Sequence, residues 1–246
     1  MNLEPFSHGN SLLHRADPRV KIIAALFLSL IIALCQNFTT ATAGLVIALV
    51  LIAGTCLSPK LLIRRFLLVN SLNILLFIIL PLTYSLTPQM SISGVHISLT
   101  GLHMAALITI KSNAILLLFV SLLATSTVAS LGHGLQKLRV SPRLCMLLLF
   151  SYRYIFVIRQ EYNRLYRAAT LRCFSPATTL HTYKTYGFLL GMLLVKSWNR
   201  AARVQQAMEL RGFTGVFQSL YELQMNITDY LLLTVFLGCG LILLIL

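Results

Sequence analysis

Acidic residues are nearly missing from this 246-residue chain, which has six: Glu4, Asp17, Glu161, Glu209, Glu222 and Asp229. Charged residues of both signs reach 11%, where a soluble domain carries about a quarter. With hydrophobic residues at 57%, the chain cannot cover a core with a solvated shell, which leaves an integral membrane protein. No G-x-x-x-x-G-K-[ST] loop is present to cradle nucleotide phosphates, so ATP hydrolysis is not expected on this chain. All six carboxylates fall outside or at the edge of the expected spans. A proton- or sodium-coupled carrier normally needs such a group inside one, or unwound backbone in its place. No nucleophile and base, carboxylate pair or metal motif suggests an enzyme. The five cysteines, Cys35, Cys56, Cys145, Cys173 and Cys239, show no C-x-x-C spacing and read as small buried hydrophobes. Six histidines form no H-x-x-x-H or mixed His/Cys cluster. Of these, His96 and His103 are expected near the outer surface, as ordinary loop residues or in passing contact with a metal. The polar start, Met1 to Ala16, leads into an apolar stretch without a small-residue cleavage site, so no cleavable leader is expected.

What the chain does have is long apolar runs. Ile22 to Pro59 carries no charge over 38 residues and Phe66 to Ile110 none over 45, where one membrane-spanning helix needs about 20. Two spans fit the first run, joined by the turn at Gln36, Asn37, Thr39 and Thr40. A third is expected near 66–84, a fourth at about 103–128 after a polar loop, and a last at 230–246. Asp17-Pro18 is a helix start, the Asp capping free N–H groups and the Pro suiting the first helical position. Ser58-Pro59, Ser141-Pro142 and Ser175-Pro176 repeat that signal. Lys111, with Asn113 nearby, interrupts the fourth span, and is read either as snorkelling to the outer interface or as bonding to a partner helix. Asn70 and Asn73 in the third span raise the same question.

Cations number 20, for a net charge of +14, and 13 of them fall in residues 131–215, opposed there by Glu161 and Glu209 alone. Lys and Arg favour cytoplasmic flanks. Arg15, Arg19 and Lys21, then Lys60, Arg64 and Arg65, then Lys137, Arg139 and Arg143 all fall on one side of an alternating topology. The N-terminus and the basic block are thus expected inside. Within the block, the apolar stretches 144–158 and 185–195 are too short and too basic at their flanks for simple crossings. They are expected as interfacial or projecting amphipathic helices, with a re-entrant hairpin as the alternative. The resulting division is a membrane domain at 1–130, a coupling region at 131–225 and a C-terminal span at 226–246. The fold class is all-α, with about five spans and a cytoplasmic or interfacial helical region.

The block contains a repeat. Residues 164–174 (RLYRAATLRCF) and 203–213 (RVQQAMELRGF) align at an offset of 39, matching Arg164 with Arg203, Ala168 with Ala207, and Leu171, Arg172 and Phe174 with Leu210, Arg211 and Phe213. On a helix, each copy sets a small Ala one turn before an Arg. The Ala admits a close approach, and the guanidinium offers five donors in a fixed fork. Two similar basic helices imply a partner with two similar sites, such as a dimer. Against this stands the ordinary meaning of juxtamembrane cations, which is contact with lipid phosphates.

Together these segments resemble the transmembrane T component of energy-coupling factor (ECF) transporters, in particular the CbiQ-type subunit of cobalt and nickel importers. The resemblance is carried by Asp17-Pro-Arg-Val-Lys21, by Leu138-Arg-Val-Ser-Pro-Arg143 leading to Ser151-Tyr-Arg-Tyr-Ile-Phe156, and by the two motifs ending in Leu171-Arg-Cys-Phe174 and Leu210-Arg-Gly-Phe213. It covers nearly the whole chain. The family places an Arg flanked by small residues in each of two coupling helices. This implies Ala168, Leu171, Arg172 and Cys173, and Ala207, Leu210, Arg211 and Gly212, as ATPase-coupling residues, with Arg164 and Arg203 in support. Cys173 stands where the family usually has Gly. The resemblance further implies a non-enzymatic subunit without bound cofactor, joining two cytoplasmic ABC-type ATPases, which hold ATP and Mg, to a separate membrane subunit that binds cobalt or nickel. Nucleic acid is not an expected partner. The competing expectation is a self-sufficient channel or facilitator whose basic face binds anionic lipid.

Overall fold

In a computed structural model, residues 11–55, 59–83, 90–92, 95–213, 215 and 226–245 are described. Glu4, His8, Cys56, Ser58 and Glu222 lie outside them, as does the side chain of His96. The chain divides into two compact units, one of Met1–Gly134 with Glu222–Leu246 and one of Leu135–Tyr221.

The first unit holds α1 (Leu12–Arg15), α2 (Pro18–Leu34), α3 (Phe38–Thr55), α4 (Pro59–Thr83), the short antiparallel hairpin β1 (Met90–Ile92) and β2 (Val95–Ile97), α5 (Leu99–Leu122), most of α6 (Val128–Lys137) and α9 (Ile227–Ile245). Helix α2 starts as Asp17-Pro18 suggests: the Asp17 carboxylate accepts the Arg19 N–H at 2.9 Å and Pro18 takes the first helical position. Helix α2 packs on α5 and α9, while α3 and α4 lie on α5. The shared core contains Ala24, Ala25, Leu28, Ile32, Ala48, Ala114, Leu118, Phe236 and Leu243. Small residues set the spacing, as expected where helices associate without a hydrophobic drive between them. A Cβ on Gly44 would stand 2.9 Å from Ile32 Cγ1, and one on Gly240 would run into the Phe27 ring.

The outer faces are apolar too, with Leu26, Leu30, Val50, Leu68, Leu72, Ile78 and Leu241 exposed. Helices apolar all round belong in lipid. Among the described residues, four helical segments are long and apolar enough to cross a membrane: Phe38–Thr55, Arg65–Thr83, Leu99–Leu122 and Ile227–Leu244. The chain is a multi-pass, essentially all-α membrane protein. The remaining expected span, α2, has 17 residues and carries Arg19 and Lys21 in its first turn.

Several boundaries differ from expectation. Helix α4 starts at Pro59, so Lys60, Arg64 and Arg65 lie within its first two turns. Helix α5 starts at Leu99, because the buried Ser98 side chain accepts the Gly101 N–H, and it ends at Leu122. Lys111 Nζ donates to the Ala33 carbonyl at 3.1 Å. That carbonyl lies in the last turn of α2, where carbonyls lack intrahelical donors; the partner helix is one of the chain's own. The asparagines also bond across α4 and α5. Asn113 Nδ2 donates to Asn70 Oδ1 at 3.0 Å, and Asn73 Nδ2 donates to the same oxygen at 3.2 Å and to Ser112 Oγ at 3.0 Å.

The second unit is built on α7 (Pro142–Thr170) and α8 (Leu180–Leu210). The stretches 144–158 and 185–195 lie one in each of these helices. Each is the apolar part of a continuous helix, of 29 and 31 residues respectively, that runs on into the basic segment. Ser141-Pro142 does open α7, though without a side-chain cap bond. Ser175-Pro176 does not open α8, because Thr179 takes that place and its hydroxyl accepts the Thr182 N–H.

Candidate coupling region

Helices α7 and α8 run antiparallel. Glu161 Oε1 accepts from Lys196 Nζ at 2.6 Å near their middles, and the Phe174 and Tyr186 rings meet edge to face at 5.7 Å at one end. At the other end, Met146 and Phe150 of α7 and Met208 and Phe213 from the end of α8 line one groove of about 680 Å³, with Val157, Glu161, Lys196 and Arg200 further along it. Glu161 is 13% exposed and also lies 3.5 Å from Arg164. The Lys196 hydrogen bond, aided by the charges of Lys196, Arg164 and Arg200, holds its carboxyl below the usual carboxylate range. Burial pushes the Tyr186 phenol up, and its neighbours Tyr166 and Tyr162 add to the shift.

The repeat proves to be a repeat of helix ends. After α7, the N–H groups of Arg172, Cys173 and Phe174 donate to the carbonyls of Ala169, Thr170 and Ala169. After α8, those of Arg211, Gly212 and Phe213 donate to Met208, Glu209 and Met208. All three bonds recur at the offset of 39. The N–H to carbonyl bonds five and three residues back, around a left-handed residue, make a Schellman closure. Cys173 (φ 63°) and Gly212 (φ 73°) are those left-handed residues. Arg172 and Arg211 therefore sit in the closing turn, just past the last hydrogen-bonded helical turn and one residue before the left-handed position. Cys173, ahead of Ser175-Pro176, stops the first copy.

Each motif places its last aromatic residue inward and the Leu and Arg before it outward. Phe174 packs on Tyr186 and Phe213 lines the groove. Ala168, Arg172, Cys173, Ala207, Arg211 and Gly212 are exposed, as are Arg164 and Arg203. Leu171 and Leu210 are 86% and 90% exposed. Each of the two matching helix ends thus presents an aliphatic side chain beside an exposed guanidinium on its outer surface. From Tyr186, beside the first motif, to Leu210 of the second is 24 residues, or about 36 Å of helix at 1.5 Å each. The two surfaces lie at opposite ends of the helix pair.

The chain matches the cobalt transport protein family, CbiQ, over residues 9–222. It belongs to that family. Among curated relatives, it is 25% identical over 222 residues to the energy-coupling factor transporter transmembrane protein EcfT of Macrococcus caseolyticus, covering 83% of this chain and 82% of that one. It is 32% identical over 110 residues to the nickel permease LarQ of Lactiplantibacillus plantarum, covering 45% of this chain and 40% of LarQ. It is 29% identical over 148 residues to a putative fused cobalt transport protein CbiMQ of Methanocorpusculum labreanum, covering 60% of this chain and 24% of that protein. Among the described residues, no group of three or more His, Cys, Asp and Glu is placed to hold a metal ion.

The first unit also holds a buried polar cluster that was not expected from sequence. Lys21 is 1% exposed, and its Nζ donates to Ser126 Oγ at 2.7 Å and the His14 carbonyl at 3.4 Å. Asp229 Oδ1 accepts the Asp17 N–H and its Oδ2 the Asn226 N–H, each at 3.0 Å, tying the starts of α2 and α9 together. Asp17 and Asp229 are two of only six acids, and each begins an apolar run, which was the available signal.

Proposed function

We propose that the chain is the transmembrane coupling subunit of an ATP-driven ECF-type importer, most consistent with cobalt or nickel ions as cargo. Two cytoplasmic ATPases dock on the helix ends at Arg172 and Arg211, and a separate membrane subunit binds the metal. The N-terminus and the second unit face the cytoplasm, α2 is a fifth crossing, and the coupling region spans 131–225. The observation that carries this reading is the pair of matching Schellman ends, each with an exposed Leu and Arg, at opposite ends of one antiparallel helix pair. Matched helices running in opposite directions approximate a twofold arrangement, which suits a two-subunit ATPase. Nucleotide-driven opening and closing of that pair would then act on both ends of the helices at once.

A double variant, Arg172→Ala with Arg211→Ala, tests it. Both side chains are exposed and neither makes a side-chain bond among the described residues, so the variant should insert and remain stable. A charged hydrogen-bonded contact is worth about 1.5–3 kcal/mol; losing two weakens docking by roughly a hundredfold or more. Co-purification with the ATPases and stimulation of their activity should be lost. Normal metal uptake by the double variant, or uptake by the purified chain alone in liposomes, would refute the role.

A further inference from the structure

Lys21 holds a partner distant in sequence and leaves a near one unused. Its Nζ donates to Ser126 Oγ at 2.7 Å and to the His14 carbonyl at 3.4 Å, both neutral acceptors. One turn before it lies Asp17, whose backbone carbonyl accepts the Lys21 N–H at 3.3 Å. Asp17 Oδ1 accepts the Arg19 N–H at 2.9 Å and stands 3.8 Å from Arg19 Nε. Asp17 Oδ2 is buried and, among the described residues, has no hydrogen-bond partner. A carboxylate oxygen shut away from water without a donor is costly. An acid and a lysine four residues later can pair along a helix, and helical side chains lean back toward the N-terminus. Nζ therefore reaches Oδ2 by a change of its own rotamers, with no movement of the backbone. Asp229 offers no such opening, because its two oxygens already accept the Asp17 and Asn226 N–H groups.

The partner that Lys21 does hold sits where the chain leaves the first unit. Ser126 lies in the connection between α5 and α6, and α6 runs into the second unit after Gly134. Gly134 packs on the same turn of α2, where a Cβ would stand 3.1 Å from Pro18 Cβ and 3.4 Å from Ile22 Cδ1. We propose that Lys21 is a two-position latch: on Ser126 it fastens the α5–α6 connection to α2, and on Asp17 Oδ2 it lets that connection go. Both positions give the ammonium an oxygen acceptor, so neither leaves the buried charge bare. The use of the latch rests on the coupling role proposed above, in which displacement of the second unit pulls on α6.

Amide exchange in the full chain in detergent tests the latch without any ATPase. The probes are the Ser126 and Leu131 N–H groups, which donate to the Leu123 and Thr127 carbonyls, and exchange scales with the population of the open form, however small. Ser126→Ala should speed exchange at Leu131 roughly tenfold, the loss of one charged hydrogen bond. Asp17→Asn keeps the oxygen that caps Arg19 but puts an amide where Lys21 would land, and should slow exchange at both probes roughly twofold or more. Asp17→Ser, another helix-capping residue without the spare oxygen, should do the same. In a Lys21→Met background none of these substitutions should move the exchange. Faster or unchanged exchange in both Asp17 variants overturns the latch. So does slowing that persists beside Lys21→Met, which would come from removal of a buried charge alone. With the ATPase pair bound, nucleotide should change exchange at Leu131 in the unaltered chain and not in Lys21→Met. No response to nucleotide in the unaltered chain overturns the use of the latch in coupling, while the exchange in the chain alone and the docking of the ATPases stand apart from that result.

Discussion

Cys173 holds a backbone conformation that costs an L-residue free energy, and the second copy of the motif shows what relieves it. At φ 63° Cys173 occupies the left-handed region, which places Cβ near the following carbonyl at a cost of about 1–2 kcal/mol. Gly212 has φ 73° at the equivalent position. The Cys173 side chain is exposed, so Cys173→Gly removes no packing. Against the relief stands the greater unfolded-state freedom of glycine, about 0.5–1 kcal/mol. The net expectation is stabilisation of the α7 end by about 0.5–1 kcal/mol, or a roughly two- to fivefold change in the local opening equilibrium. The assay is amide hydrogen exchange at Cys173 and Phe174, whose N–H groups bond to Thr170 and Ala169. Their exchange should slow by that factor, while Gly212→Ala should speed exchange at Gly212's neighbour Phe213 by a similar one. Unchanged or faster exchange at Phe174 in Cys173→Gly would falsify the closure described here, since relief of strain at the left-handed residue has no other route.

The Glu161 carboxyl titrates below its ordinary value of 4.5 in the folded protein. Its contribution to the α7–α8 contact is thus present above about that pH and is lost as the pH falls through the depressed folded value. Amide hydrogen exchange along α7 and α8 should therefore show an acid transition that Glu161→Gln lacks; a transition surviving in that variant assigns it to another group. Gly240→Val should destabilise the first unit by about 1–3 kcal/mol, read as a lower melting temperature in detergent, because its side chain collides with Phe27. An unchanged melting temperature would mean that α2 and α9 are less closely packed than described. Asp229→Ala leaves the Asp17 and Asn226 N–H groups without acceptors, at about 1–3 kcal/mol for each group that stays buried. Asp229→Asn keeps an oxygen and should lose less, and the reverse order would count against the proposed ties.

The membrane helices were largely legible because a span announces itself by length and by lack of charge. Their ends were less so, since the decisive bonds come from residues that look ordinary in sequence, such as Ser98 for α5 and Thr179 for α8. Lys111 showed that two readings of one cation needed a distance to separate them. The motif was legible as a pattern of letters, but its place at a helix end was not: an Ala and an Arg four apart suggest a helical face, and the left-handed Cys173 shows that the helix closes directly after the Arg. Glycine at 212 was a hint to that effect, masked at 173 by a residue that seldom takes that conformation. Continuity of α7 and α8 was also hidden, because breaks in hydrophobicity at Arg159 and Lys196 fall inside uninterrupted helices.

That continuity bears on how such a helix pair works. Along α7 and α8 the buried residues are Cys145 and Thr182, and among the described residues one close ion pair, Glu161 with Lys196, joins their middles. Burial fixes helix crossings through many interlocked side chains, and here that constraint is sparse. The pair is joined at a midpoint contact, by the Phe174–Tyr186 rings at one end and by the groove-lining apolar residues at the other. A large bending of either helix would break consecutive backbone bonds, so each helix transmits displacement along its length, whereas a change in the angle between them disturbs few contacts. Under the proposed role, the angle is then set mainly by what binds the two exposed Leu-Arg ends. Substitutions that add apolar packing between α7 and α8 should therefore lower transport per ATP hydrolysed while leaving ATPase docking in place, a separation that loss of either arginine does not produce.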